Sequence, residues 1–240
     1  MRAIVTFHSI DDTGSVLSFP QRALAQFLEA LAASGISVCA LEELLRTGAQ
    51  RAVALAFDDG MQSVFRNALP VLKDFAVPAH LFLTVGAVGR DNRWPGQPAG
   101  VPRFEMLSWP QVEALHAAGI RIEGHTAKHP DLCALDDAAV VQECQTCDDV
   151  IERRLGRRPQ YFAYPYGNHD RRVRAIARQR YAAAVTTELR PLRARDDPAA
   201  LPRLDSYYLR SPWLRRRFLS PEAQAYLALR NALRRVRGSH

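Results

Sequence analysis

Two short stretches of the chain hold residue types able to do hydrolytic chemistry. In AFDDG, residues 56–60, an apolar strand-like run ends in adjacent carboxylates, Asp58 and Asp59, and stops at Gly60. In EGHTAKHPD, residues 123–131, His125 and His129 stand four apart, so one helical turn or a tight loop can aim both imidazoles at one ion. A divalent ion held by two neutral imidazoles takes one anionic oxygen beside them and keeps a position for water, and a separate carboxylate nearby can take a proton from that water. Thr126, not Glu, follows His125, so the H-E-x-x-H pattern of zinc peptidases does not apply. A third ligand and a base must then come from elsewhere, and AFDDG can supply both. Neighbouring residues at a strand's end can point in different directions, which would let one Asp bind and leave the other free, and Gly60 allows a sharp turn there. Each stretch also has a plainer reading. An Asp pair ahead of a helix suits the positive end of its dipole, and His125 and His129 would serve as ordinary loop histidines.

The elements that would position these residues alternate along the chain. Ala3 to Phe7 reads as a strand, and Gln21 to Ala33 as a helix with Leu24, Phe27, Leu28 and Leu31 on one face. Ala52 to Phe57 is the next strand, followed by a helical segment broken at Pro70, and Ala79 to Thr84 is another. Gly86 to Phe104, rich in Gly and Pro, reads as a long loop. Ser108 caps a helix with Pro110 in its first turn that stops at Gly119. Ile120 to Ile122, Tyr161 to Tyr164, Ala182 to Thr186 and Leu201 to Leu204 are strand candidates, and Asp136 to Leu155 is a long helix. This alternation favours a mostly parallel sheet with crossover helices. His8, the Asp pair, His125 and Tyr166 each fall just past the C-terminal end of a strand, where α/β barrels gather their sites.

Composition sets the outer limits. With 240 residues, 48% of them hydrophobic, one barrel-sized domain is expected. Four cysteines are too few for a disulfide framework. Cys144 and Cys147 form a C-x-x-C, but they share helical spacing with Val140, Val141, Val150, Ile151 and Leu155, which assigns the thiols to a buried stripe. No window approaches the roughly 20 apolar residues of a membrane span, and the N-terminal residues lack a secretory pattern, so a cytoplasmic location is expected, peripheral at the inner membrane face. From Arg203 to Arg237, nine arginines stand against Asp205 and Glu222, an excess equal to the whole chain's +7. In that tail Tyr226, Leu229, Leu233 and Val236 fall roughly on one helical face among Arg230, Arg234, Arg235 and Arg237. Such a face suits an anionic membrane surface, or equally a helix packed on the barrel with a solvated basic flank. It lacks an interleaved aromatic platform, which argues against nucleic acid as a partner.

AFDDG, HTAKH and the later FAYPYG, residues 162–167, occur in the order of the first three motifs of the NodB-type polysaccharide deacetylases, carbohydrate esterase family four, and the chain resembles that family from His8 to about Leu209. The resemblance implies a distorted parallel (β/α) barrel of about seven strands over residues 1–210, followed by a basic helical tail over 211–240. It implies metal-dependent removal of an N-acetyl group from an amino sugar, with Asp58 as catalytic base, one divalent ion on Asp59, His125 and His129, and the Tyr166 N–H on the developing oxyanion. Zinc is the default ion from ligand type, with cobalt, nickel or iron as others of the same preference. The chain departs from the commonest pattern at Ala163, where many members carry an Arg that orients the base. Arg203 is the candidate replacement, with Asp205 behind it. The late Leu-x-His motif is also absent, so the general acid must be found elsewhere. The resemblance is nearest to the biofilm-exopolysaccharide branch, whose members open with a strand ending in Tyr-His. Phe7-His8 stands in that relation here, and an imidazole of ordinary pKa near 6.5 can protonate a leaving amine. His8 also suits a plain hydrogen-bonding role at the barrel mouth. Tyr164 and Pro165, with Arg203, are the expected substrate contacts, an aromatic ring suiting one face of a sugar. His80, His116 and His169 have no partner motif and read as structural or surface residues. The expected substrate is an N-acetylated saccharide, free or lipid-linked. A deformylase acting on a lipid-linked aminosugar and a non-catalytic carbohydrate-binding protein stay open as alternatives.

Overall fold

A computed structural model describes residues 2–46, 51–97, 100–218 and 220–236. Its strands are β1 (Arg2–Phe7), β2 (Ser37–Val38), β3 (Ala52–Asp59), β4 (His80–Leu83), β5 (Arg121–Gly124), β6 (Tyr161–Ala163), β7 (Ala183–Val185) and β8 (Leu204–Asp205). The helices are α1 (Gln21–Ala33), α2 (Leu41–Arg46), α3 (Leu69–Asp74), α4 (Trp109–Ala117), α5 (Asp137–Leu155), α6 (Arg171–Arg180), α7 (Ser206–Leu209), α8 (Pro212–Arg216) and α9 (Pro221–Val236). The strands pair in parallel in the order β7-β6-β5-β4-β3-β1-β8, and β2 lies beside the first residues of β3. Residues 201–205 curl the sheet towards closure. Leu201 bridges to Val185 of β7, and Leu204 and Asp205 pair with Val5 and Thr6 of β1. The result is a distorted parallel (β/α) barrel.

Strand alternation divides the apolar residues into two cores. Ala3, Val5 and Phe7 of β1, Val53, Leu55 and Phe57 of β3, Leu81 and Leu83 of β4 and Ile122 of β5 pack outward on Leu24, Phe27, Leu28 and Leu31 of α1 and on the other helices. Ile4, Ala52, Ala54, Ala56, Phe82, Tyr161, Ala163, Ala183 and Val185 form the inner cluster. Its many alanines suit a narrow interior, where a larger side chain would meet its neighbour across the barrel. Leu214, Phe218, Ala223 and Leu227, from α8, α9 and the turn between them, join the outer core, and the Phe218 ring meets Phe27 edge-on at 5.1 Å.

The differences from the expected elements have local causes. The Leu201–Leu204 strand is reduced to a bridge and a two-residue pair, because Pro202 has no N–H to give and the Arg203 N–H goes to the Glu188 carbonyl at 3.0 Å. β2 is too short to show a period-two pattern. The helical segment after β3 does not simply break at Pro70. It begins as a π-helical turn over Val64–Ala68 and continues as α3 with Pro70 in its first turn, where a missing N–H costs little. α5 begins as expected, with Asp136 accepting from the Ala139 N–H at 2.8 Å, and ends at Gly156 in the left-handed conformation, φ +70°. Cys144 and Cys147 are free and buried on its inner face, and burial pushes the Cys144 thiol up to about 12.

Candidate metal centre and active site

The inner row of β3 runs Ala52, Ala54, Ala56 and then Asp58, so alternation alone carries the first carboxylate into the barrel mouth. The same rule would send Asp59 outward among the helices. It does not go there, because Asp59 has φ +70° and the extended backbone stops at that residue. Gly60, at φ +97°, completes the turn with its N–H on the Asp58 carbonyl at 2.8 Å, while Thr84 N–H takes the Asp59 carbonyl at 3.2 Å. Both carboxylates therefore sit at the mouth, 2% and 4% exposed. Thr126, His129 and Tyr166 are also non-glycine residues with positive φ. Of the five such residues described, only Ala76 lies away from the mouth, so the uncommon backbone conformations gather where the chemistry would be.

His125, which continues the inner row of β5, and His129 bring their Nε2 atoms to 3.3 and 3.5 Å from one oxygen, Asp59 Oδ1. The donor atoms of the three residues lie within 4.8 Å of one another, and all three residues are buried. His125 Nδ1 meets the Ala163 carbonyl at 2.7 Å. A carbonyl only accepts, so Nδ1 carries a proton, which leaves Nε2, beside Asp59, as the nitrogen that would meet an ion. The His129 backbone is fixed by its N–H to Thr126 Oγ1 at 2.9 Å, and its ring packs against Trp94, Tyr166 and His125 at 4.4, 4.6 and 4.8 Å. Glu143 holds the loop from behind by accepting the Ala127 and Lys128 N–H groups at 3.0 and 2.8 Å. Gly86 seats it from the front, where a Cβ would come within 2.5 Å of the Ala127 carbonyl oxygen.

The electrostatics match a cation site. Burial works to raise the Asp59 carboxyl, but the His125 hydrogen bond and the imidazoles around it prevail and hold it well below the usual carboxylate range. Burial lowers the His129 imidazole to about 3 despite Asp59, so that ring is neutral at pH 7. Burial also opposes charge on His125, where Asp59 and Asp58 outweigh it and raise the imidazole. One carboxylate and two imidazole nitrogens thus converge within reach of one ion, the donor set a divalent metal takes.

Asp58 is placed differently. Arg203 grips it with both arms of the guanidinium, Nη1 to Oδ1 and Nη2 to Oδ2, each at 2.7 Å, while Arg203 Nε donates to the Thr186 carbonyl at 2.9 Å. Burial would raise the Asp58 carboxyl, and Arg203 reverses this and keeps it ionised. Arg203 reaches the site from 145 residues away in the chain, over the Phe82 ring, while Ala163 contributes only its carbonyl to His125. Asp205 does not stand behind Arg203. Its carboxylate instead caps α7, accepting the Tyr207 N–H at 2.8 Å.

A cleft of about 210 Å³ opens over these groups, lined by Asp58, Asp59, His125, His129, Arg203, His8, Tyr164 and Tyr166. His8 is half-buried at the end of β1. Pro165 lies buried beneath the turn that presents Tyr166, and Tyr164 O accepts the Gly167 N–H of that turn at 2.8 Å. Tyr164 is a wall of the cleft rather than the open sugar platform its sequence context suggests. It is 1% exposed, its hydroxyl donates to the Ala199 carbonyl at 2.8 Å, and its ring stacks on His169. His169 and His80 are spent on structural contacts, and His116 lies on α4. Sequence reasoning did not single out Trp94, Gln97 or Thr187, which also line the cleft. A tryptophan in a Gly/Pro-rich loop, NRWPGQPAG, was the available signal for the first. Gln97 Nε2 and His129 Nδ1 are buried at the cleft without a hydrogen-bonding partner among the described residues, a surface suited to a ligand rich in amide and hydroxyl groups.

Comparison with known proteins agrees with this geometry. The chain is 26% identical to IcaB from Ammonifex degensii, with a TM-score of 0.71 over 89% of this chain and 97% of that one. The deacetylase PplD of Streptococcus pyogenes, solved with acetate, shares the fold at 22% identity and a TM-score of 0.72, over 85% and 91% of the two chains. The poly-beta-1,6-N-acetyl-D-glucosamine N-deacetylase of Staphylococcus aureus (strain MSSA476) is 24% identical over 127 residues, 49% of this chain. The chain spans 41% of that relative's length, and 64% of the length of YxkH from Bacillus subtilis (strain 168), a protein named provisionally as a polysaccharide deacetylase. The family model described as polysaccharide deacetylase matches residues 46–184, more than half of the chain, including the Asp pair, both histidines and FAYPYG. The protein belongs to the polysaccharide deacetylase family.

Proposed function

We propose that this protein is a metal-dependent hydrolase that removes an N-acetyl group from an amino sugar of a saccharide. The observation that carries the reading is the division of labour inside AFDDG. Asp59 is turned to the two imidazoles, while Asp58 stands beside them on a separate, arginine-held seat. Asp59, His125 and His129 would hold the ion, with zinc favoured by the ligand types. When bound, a divalent ion there supplies Lewis-acid activation of water and of the amide carbonyl. Asp58, kept ionised by Arg203, takes the proton of the attacking water. Each of its oxygens spends one lone pair on the guanidinium and retains another for that task. The Tyr166 N–H, at the start of its turn, donates to the oxyanion that forms as the acyl carbon is attacked. His8 gives a proton to the departing amine nitrogen.

The test is acetate release from N-acetylated oligosaccharides, with and without chelator. Wild type releases acetate and loses that activity to the chelator. Asp58→Asn loses about a thousandfold or more in kcat while keeping its metal by elemental analysis. Asp59→Ala loses both. Full activity in either variant, or chelator-resistant turnover, overturns the assignment.

The proposal extends to location. No helix among the described residues is long and apolar enough to cross a membrane. α9 nevertheless exposes Tyr226, Leu229 and Leu233, with exposed Trp213 of α8 against the Tyr226 ring at 6.4 Å. Arg234 and Arg235 belong to the same helix, and Arg237 lies outside the described residues. This supports docking on anionic lipid at the cytoplasmic face, where a lipid-linked saccharide would be met. Binding to phosphatidylserine-containing vesicles should be lost on Leu229→Ser/Leu233→Ser, and binding unchanged in that variant would exclude the helix as the anchor.

A further inference from the structure

A cleft larger than the one that holds Asp58 lies beside it. This second hollow, about 430 Å³, is lined by Thr84, Gly86, Arg90, Asp91, Arg93, Trp94 and Lys128, with Ala87 and Pro95. It abuts the triad at several points. Lys128 precedes His129 in the chain, and Trp94, which packs on the His129 ring at 4.4 Å, lines both clefts. Thr84 gives its N–H to the Asp59 carbonyl at 3.2 Å and its hydroxyl to the His125 carbonyl at 3.0 Å. Trp94 thus forms a wall common to the two clefts.

Its charge is strongly unbalanced. Asp91 is already committed, paired with Arg93 at 2.7 Å and Arg103 at 2.9 Å. Glu143 is turned to backbone N–H groups. Arg90 and Lys128 are exposed and have no carboxylate partner among the described residues. The loop that carries Arg90 and Arg93 is braced rather than loose. Asn92, 1% exposed, donates to the Pro102 carbonyl at 3.0 Å and accepts from the Phe104 N–H at 2.8 Å. Two cations without counter-ions among the described residues, Arg90 on that braced loop and Lys128 next to His129, create a potential that a neutral saccharide does not use.

We infer that this hollow is a subsite for an anionic group, a phosphate or a carboxylate, carried on the saccharide next to the N-acetylated unit. The inference rests on the deacetylase reading for its orientation and goes beyond it by stating that the preferred substrate is negatively charged. Phosphate offers more acceptor oxygens to Arg90 and Lys128 than a uronate does, and is the tighter of the two.

The experiment compares three N-acetylated oligosaccharides of equal length, one neutral, one with a uronate neighbour and one with a phosphate neighbour. Both calorimetric binding and acetate release are measured, in wild type and in Arg90→Gln/Lys128→Gln. Both positions are exposed, so the variant folds. The charged ligands should bind wild type about tenfold more tightly than the neutral one at low salt, equivalent to ~1.4 kcal/mol. The double variant and raised ionic strength should each erase that difference, with kcat on the neutral substrate unchanged. Equal binding of neutral and charged ligands to wild type, no binding of any of them, or a preference that survives the double substitution overturns the subsite. Charge-dependent binding with no acetate released leaves the subsite standing and removes the deacetylase reading. Acetate release at equal KM from all three does the reverse.

Discussion

Glu123 and His125 stand two residues apart at the inner face of β5, both essentially buried, yet they belong to different kinds of polar cluster. Glu123 Oε2 accepts the Gln160 and Tyr161 N–H groups at 2.8 and 3.0 Å, and its other oxygen lies 3.4 Å from His80 Nδ1. His80 Nε2 in turn accepts the Leu41 N–H at 2.9 Å. That lower cluster ties β4, β5, β6 and α2 together by giving its acceptors to backbone donors. The upper cluster does the opposite. His125 spends one nitrogen on the Ala163 carbonyl and leaves the other pointing at Asp59, while His129 Nδ1, like His80 Nδ1 and Glu123 Oε1 below it, has no hydrogen-bonding partner among the described residues. Burial and residue type are alike in the two places. What separates a structural histidine from a candidate ligand is whether its lone pair is already used.

Exchanging the two fates is the sharpest way to break the comparison. His125→Ala should remove metal and turnover, a loss of a thousandfold or more, at modest cost in stability. Glu123→Gln should keep metal and turnover but lose about 1–3 kcal/mol, because a neutral amide oxygen replaces a carboxylate accepting two backbone N–H groups. Metal content and urea unfolding of both variants check this. Loss of metal in Glu123→Gln with full stability would show that the two clusters are one.

Arg203 tests the border between the clusters, since it is both fully buried and committed to a candidate catalytic group. Arg203→Ala strands a buried carboxylate and should cost about 3–5 kcal/mol. Arg203→Lys, which keeps the charge and loses the fork, should recover most of the stability but little of kcat. In the lysine variant the acid limb of the rate profile should move to higher pH, since the guanidinium is what overcomes burial to keep Asp58 ionised. An unmoved profile with normal kcat would make Arg203 purely structural.

These contrasts also explain what the sequence could reveal. The strands and helices were legible because alternation and helical spacing are local, as in Ala52–Phe57 and in the buried face of α1. The residues of AFDDG and HTAKH were legible as donors because their types and order carry the chemistry. The direction of Asp59 was not, since alternation sends it outward and only the backbone reversal at φ +70° brings it to the histidines. Nor was the seat of Arg203 derivable from spacing, because its partner is 145 residues away and the intervening chain crosses most of the barrel. Trp94 was hidden for a related reason. The loop around it has no period, and its role depends on where the Asn92 brace places it.

The smallest expected effect comes from the proton that His129 refuses. Burial lowers this imidazole from its ordinary value to about 3, whereas the unfolded chain binds a proton near 6.5. Between those values the unfolded state holds more protons, so the stability of the metal-free protein should fall as pH falls, with a slope approaching about 1.4 kcal/mol per pH unit from this group. The neighbours act in other windows. His125 is shifted upward, so its linkage lies above pH 6.5 and has the opposite sign. Asp58 and Asp59 are shifted downward from 3.8 and matter mainly at and below that value. The interval from pH 6 to 5 therefore isolates His129, and subtracting the unfolding curve of His129→Gln from that of wild type, both with chelator, removes every other group. A difference that stays flat across the interval would mean that the His129 ring is solvated, and that the mouth of the barrel, unlike its floor, is not a dry site.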